Sequence, residues 1–224
     1  MTRQRRWEVG SIAVLLLALA AVGGSAAYRR HVNRELAAAM NNPEKYPQWD
    51  RKRAAMLVRR GAAVDTRGIH RMTLLMIAAL ERDDALARDL IARGAQIDAK
   101  DYWGQTPLYF AATQRDVRMM RLLLTHGANP NAVSSAAGWS PIFEFVNHEI
   151  MGVNPDIDTS TLVMGVRVLL DAGADVTITD KQGLTPLAVA DLSVKKAVMP
   201  MLRQAQAAQK AQKARSGSFG LKPR

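Results

Sequence analysis

Cysteine is absent from this chain of 224 residues. No disulfide framework, thiolate zinc site or lipidated cysteine can therefore contribute to it. Aromatic residues are scarce, at 5%, so any cluster of them is informative. No Gly-rich loop of the phosphate-cradling kind is present, and His31, His70 and His126 are scattered. His148-Glu149 opens like a zinc-protease motif, but Gly152 stands where the second His is needed. Asp156 and Asp158 could share a cation, yet nothing nearby supplies further oxygen ligands at a recognised spacing. The residues give no support to catalysis, to a cofactor or to a resident metal.

Charge is abundant and uneven. The net charge is +11, but residues 68–180 carry nine Lys/Arg against fourteen Asp/Glu. Residues 29–67 carry ten against four, and residues 181–224 nine against one. An acidic body between basic ends suits juxtamembrane and tail electrostatics. A nucleic-acid interface would need its cations clustered along the structured surface, so the charge argues against that partner.

From Val9 to Tyr28 no residue is charged, and Arg3, Arg5 and Arg6 precede the run. Its length just reaches the roughly 20 residues that span a bilayer core. It reads as an uncleaved signal anchor, with residues 9–28 in the membrane. A cleaved signal is the alternative, because Ser25 and Ala27 are small residues at the two recognised positions before Tyr28. Arg29 and Arg30 immediately afterwards weigh against cleavage, and a soluble buried helix is the remaining reading. Arginines on both flanks nearly balance the positive-inside count. The leading basic residues favour an inner membrane of bacterial type with the rest of the chain outside the cytoplasm.

The remainder repeats itself. Gly61-Ala62, Gly94-Ala95 and Gly127-Ala128 lie 33 residues apart, and Gly173-Ala174 follows after 46. Thr73, Thr106, Ser140 and Thr185 mark a second landmark at intervals of 33, 34 and 45. A fixed period of this length signals a solenoid of stacked supersecondary units. A Thr before Pro caps a helix and places Pro in its first turn, where the missing N–H costs nothing. Gly after the second helix supplies the left-handed conformation that ends it.

At these residues the chain resembles the ankyrin family. The resemblance implies an all-α solenoid of helix-turn-helix repeats with short β-hairpin loops, preceded here by the amino-terminal hydrophobic helix. It covers residues 49–206, about four repeats including partial caps, and is closest from Asp101 to Ala132. Residues 1–28 are the signal-anchor segment, 29–48 a juxtamembrane helix and loop, and 207–224 a basic tail that is helical and then disordered. The His that usually follows Thr-Pro-Leu is replaced by Met76, Tyr109, Phe143 and Ala188, which removes a hydrogen bond the family uses between repeats. The Gly expected between the two helices is Arg82 and Arg115 in the central units, costly if positive φ is needed there.

The resemblance also implies binding rather than catalysis, with a protein partner, still to be identified, meeting the hairpin tips and the inner helix faces. Carried onto this chain, the tips are Ile69, His70 and Met72; Tyr102, Trp103 and Gln105; Ala136, Ala137 and Trp139; then Lys181, Gln182 and Leu184. Three of the few aromatic residues, Tyr102, Trp103 and Trp139, fall on this one edge. Aromatic anchors among aliphatics are the usual composition of a binding hot spot. The competing reading is that the rings pack on neighbouring hairpins and stiffen the array.

Val32, Leu36 and Met40 recur at every fourth position and line one side of a short helix. Leu57 and Val58 stand where Leu90 and Ile91 stand before their own Gly-Ala pair, so Trp49 to Arg60 reads as the second helix of a truncated first repeat. Leu75, Ala78, Ala79, Leu108, Ala111, Ala112, Met119, Leu122, Leu123, Leu169, Leu170 and Leu187 are the expected core. Twelve extra residues separate the helices of the third full repeat, within 147–160. They form a surface loop or a partner-contacting excursion. Pro200 kinks the last second helix or starts a new one.

Overall fold

The computed structural model describes residues 26–40, 51–147, 159–192 and 196–218. It forms two compact units, Met1–Ile69 and His70–Arg224. In the first, helix α1 (Ala26–Met40) packs on α2 (Arg51–Arg59). Val32, Leu36 and Met40 of α1 are buried, as are Ala54, Leu57 and Val58 of α2. The stripe at every fourth residue therefore faces a partner helix, and the Ala63 N–H donates to Asn33 Oδ1 (2.7 Å) to tie the pair together.

The second unit is a run of helix pairs. The first helices are α3 (Leu74–Leu80), α5 (Pro107–Thr113), α7 (Pro141–Asn147) and α9 (Pro186–Leu192). The second helices are α4 (Asp84–Ala92), α6 (Val117–Thr125), α8 (Thr159–Asp171) and α10 (Met199–Ser218). Each first helix packs on the next first helix and on its own second helix, and α4, α6 and α8 form a parallel row behind them. Ala78, Ala79, Ala111 and Ala112 are fully buried at these contacts, where a short side chain lets helices approach closely.

Local chemistry sets the helix ends. Thr73, Thr106 and Thr185 accept hydrogen bonds from the N–H groups of Met76, Tyr109 and Ala188. Ser140 breaks the rule, since its buried Oγ makes no hydrogen bond among the described residues. Asp83 caps α4 through the Leu86 N–H (3.0 Å), and Asp116 caps α6 through Arg118 and Met119 (3.1 Å each). At the other ends Gly94, Gly127 and Gly173 adopt φ of 82°, 88° and 85°. The following alanine N–H then reaches back to Leu90, Leu123 or Leu169. Arg82 and Arg115 do take positive φ, 58° and 52°, between the paired helices.

Two expectations are corrected and one alternative is decided. Among the described residues no strand is present, so the implied β-hairpins are reduced to hydrogen-bonded turns. The turns close locally, through Asp101 N–H to Gln105 O, Ser134 N–H to Trp139 O and Asp180 N–H to Leu184 O, and one backbone bond joins each tip to the next, too few to build a ladder. Leu170 and Leu187 are half-buried rather than core. For Leu187 the reason is its place in the last first helix, which has no following layer of first helix to cover it. Of the two readings of Pro200, the structure has it in the first turn of a new helix, as the second residue of α10.

The run from Val9 to Ser25, most of the proposed membrane segment, lies outside the described residues, as does most of the 147–160 insertion. No described helix is long and apolar enough to cross a membrane.

Candidate protein-binding surface

Every tip is a tight turn before a first helix. In three of them Gly104, Gly138 and Gly183 supply positive φ, 76°, 75° and 80°. In the first, Arg71 (63°) stands at that position without glycine's freedom, and His70 (53°) joins it. Asp101 and Asp180 hold two of the turns from inside. Asp101 Oδ1 accepts the Trp103 and Gln105 N–H groups (2.9 and 2.7 Å), and Asp180 Oδ1 those of Gln182 and Leu184 (2.9 and 2.8 Å). Burial raises the Asp101 pKa above the ordinary carboxylate value, against the lowering effect of those N–H donors and of His70.

The tips are also joined to one another. The Tyr102 N–H donates to the His70 carbonyl (2.8 Å), the Ser135 N–H to that of Trp103 (2.7 Å), and the Lys181 N–H to that of Ala137 (3.1 Å). Ser135 Oγ adds a second bond to Trp103 O, and Lys181 Nζ donates to Ser135 O (2.6 Å). Backbone bonds of this kind stiffen the edge whatever the side chains are.

The predicted site residues separate into exposed and packed groups. Tyr102 is 70% exposed and Ile69 42%. His70, Lys181 and Gln182 are exposed; Gln105, Trp139 and Leu184 are half-buried. Met72 is 5% exposed and so does not belong to an open surface, a correction to its assignment there. Its Thr73 neighbour opens α3, and the residue just before that cap turns into the core.

The aromatic residues divide in the same way. Trp103 (37% exposed) lies against the His70 ring at 4.7 Å and meets Tyr102 edge-on at 5.6 Å. Trp139 donates from Nε1 to Asp180 Oδ2 at 3.3 Å. The two tryptophans thus link successive tips, and Tyr102 is left the most exposed of the three rings. Val133, 40% exposed, has its carbonyl 3.6 Å from where a Cβ on Gly104 would lie. Its place beside the second tip was not evident from sequence, where it is one apolar residue in a polar loop.

The inner face holds a second unforeseen contact. Tyr109 occupies one of the positions where the family's His is missing, and its hydroxyl donates to Glu144 Oε2 of the next first helix at 2.6 Å. An inter-repeat hydrogen bond is restored by different chemistry. Burial, with Glu144 beside it, drives the Tyr109 pKa far upward, so the phenol stays a donor. Phe110 and Gln114 are half-buried on the same helix. Among the described residues no group of three or more His, Asp or Glu is placed to hold a metal ion.

Residues 53–151 match the family model for ankyrin repeats (3 copies). These residues are ankyrin repeats. No curated protein matches the chain. Beyond residue 151 the same local features recur at Gly173-Ala174, the Asp180 turn and the Thr185 cap. Ankyrin repeats suggest protein–protein interaction as the role of the array.

Proposed function

We propose that the protein is a non-catalytic, membrane-tethered ankyrin adaptor that holds a protein partner on its tips and inner helix faces. The observation that carries this reading is Tyr102, a large ring 70% exposed on a turn whose backbone is pinned on both sides. An exposed aromatic residue held rigidly loses little conformational entropy on binding. Tethering rests on the uncharged run from Val9 to Tyr28 behind three arginines, with the repeats outside the cytoplasm. The second reading is a soluble module released by cleavage after Ala27, favoured by the small residues Ser25 and Ala27.

A photocrosslinking amino acid at position 102, activated in intact cells, tests the surface. A discrete adduct is expected there and not from the exposed position Arg88 on α4. Identical patterns from both positions would remove the tips from the proposal. Amino-terminal sequencing of the mature chain separates the two locations, since Tyr28 as first residue means release.

A further inference from the structure

The ends of the first helices remote from the tips carry a second surface. Seven residues of α5 separate the Gly104 turn from the Arg115 turn, roughly 10 Å at the helical rise. At that far end lies an open groove of about 570 Å³ lined by Arg82, Arg115, Arg118 and Arg121 together with Asp84 and Asp116. Arg82 and Arg115 hold the same place in successive repeats, and stacking brings them side by side. Arg118 and Arg121 sit one turn apart on α6 and are exposed.

The concentration of cations is unusual for this body. Four of the nine Lys/Arg between residues 68 and 180 line the one groove, in a stretch that carries fourteen Asp/Glu. Of the opposing carboxylates, Asp116 is already engaged. Its Oδ1 accepts two N–H groups of α6, and its Oδ2 lies 3.5 Å from Arg82 Nε. Arg118 and Arg121 have no ion pair among the described residues. A guanidinium fork pairs with carboxylate oxygens two at a time. Met164, 46% exposed, adds an apolar contact to the same wall.

The geometry points to an acidic peptide segment as the occupant, its carboxylates on Arg118 and Arg121 and an apolar side chain against Met164. A nucleic-acid strand fits less well. Asp84 and Asp116 would oppose a continuous line of phosphates but can lie between separated carboxylates, and Met164 offers nothing to a phosphate backbone. This surface is separate from the tips and does not depend on them.

Fluorescence anisotropy of the full-length chain, titrated into a labelled peptide of alternating Glu and Leu, tests the assignment. Saturable binding that weakens with added NaCl is expected. It should fall at least about tenfold in the Arg118→Glu, Arg121→Glu pair. The milder Arg118→Gln, Arg121→Gln pair, with circular dichroism unchanged, should show the same direction of loss and guards against misfolding as the cause. Tyr102→Ala should bind the peptide as wild type does, which keeps this result distinct from that of the tip surface. Equal binding of a Gln-for-Glu peptide, tighter binding of an oligothymidylate, or full affinity in both Arg pairs would overturn the proposal.

Discussion

Phe145 and Gly165 meet so closely that a methyl group added to the glycine would lie 1.9 Å from the ring Cζ and under 3 Å from both Cε atoms. Helix α8 can lie on α7 at this distance because position 165 has no side chain. Gly165→Ala would ordinarily gain about 1 kcal/mol in a helix. Here overpacking should reverse the sign and cost about 1–3 kcal/mol. Urea denaturation checks it, and adding Phe145→Leu should recover part of the loss through coupling at the shared contact.

Tyr109→Phe removes the donor to Glu144 and leaves a half-buried carboxylate short of a partner. A loss of about 1–3 kcal/mol is expected, in the range of hydrogen bonds to charged groups. Glu144→Gln should cost less, since its amide oxygen can still accept. A double-mutant cycle on the two positions should give a coupling above about 0.5 kcal/mol; additivity would mean the bond contributes nothing.

Arg82 takes φ 58° at a position suited to glycine, and its ion pair with Asp116 is long and 60% exposed on the Arg side. Such a pair contributes little. Arg82→Gly should therefore stabilise the array, by up to about 1 kcal/mol. Arg115→Gly should gain less, because its guanidinium lies 5.9 Å from the Phe145 ring centroid and that contact would be lost. Melting temperatures of the two variants measured side by side decide the order.

Asp101 separates charge from hydrogen bonding. Its raised pKa means that burial of the charged form costs stability above that pKa, and the cost is relieved as pH falls through it. Asp101→Asn keeps an acceptor for Trp103 and Gln105 without the charge, so it should match or exceed wild type at neutral pH. Its advantage should vanish in acid. Asp101→Ala strands two N–H groups and should lose about 1–3 kcal/mol. Denaturation at neutral and acid pH distinguishes the three proteins.

The tail helix is held by polar side chains. Gln209 accepts the Val176 N–H (2.9 Å) and donates to Ala174 O (2.8 Å), while Lys213 Nζ donates to Asp175 Oδ2 (2.8 Å). Burial works against the Asp175 charge, but Lys213 and Thr177 outweigh it and hold the pKa below the ordinary value. This contribution is present above the ordinary carboxylate pKa of about 3.9 and is lost as pH falls through the lower folded value. Lys213→Ala should thus loosen α10 at neutral pH and make no difference in strong acid. Hydrogen exchange of the α10 amides is the measurement.

Much of the repeat grammar was legible because it is local. A glycine needed for positive φ, or a Thr that caps the next turn, acts within a few residues of itself, so Gly94, Gly127 and Gly173 and the caps Thr73, Thr106 and Thr185 could be located by number. The cost attached to Arg82 and Arg115 followed from the same rule, and both adopt the left-handed backbone. Contacts that are not local leave no such mark. Nothing near Ser140 shows that its hydroxyl would go without a partner, and nothing near Met72 shows that it turns inward while Tyr102 does not.

By itself, then, the sequence determined the period, the helix ends and the small residues between layers, each a matter of backbone conformation over one turn. Only the tertiary structure decided which distant groups meet: Tyr109 with Glu144 and Trp139 with Asp180 across repeats, Phe145 with Gly165 between the two helices of one repeat, and four arginines in one groove. Those pairings join residues about 20 to 41 positions apart. Stacking of successive repeats brings the first two pairs and the arginines together, and packing of the two helices within a repeat brings Phe145 onto Gly165.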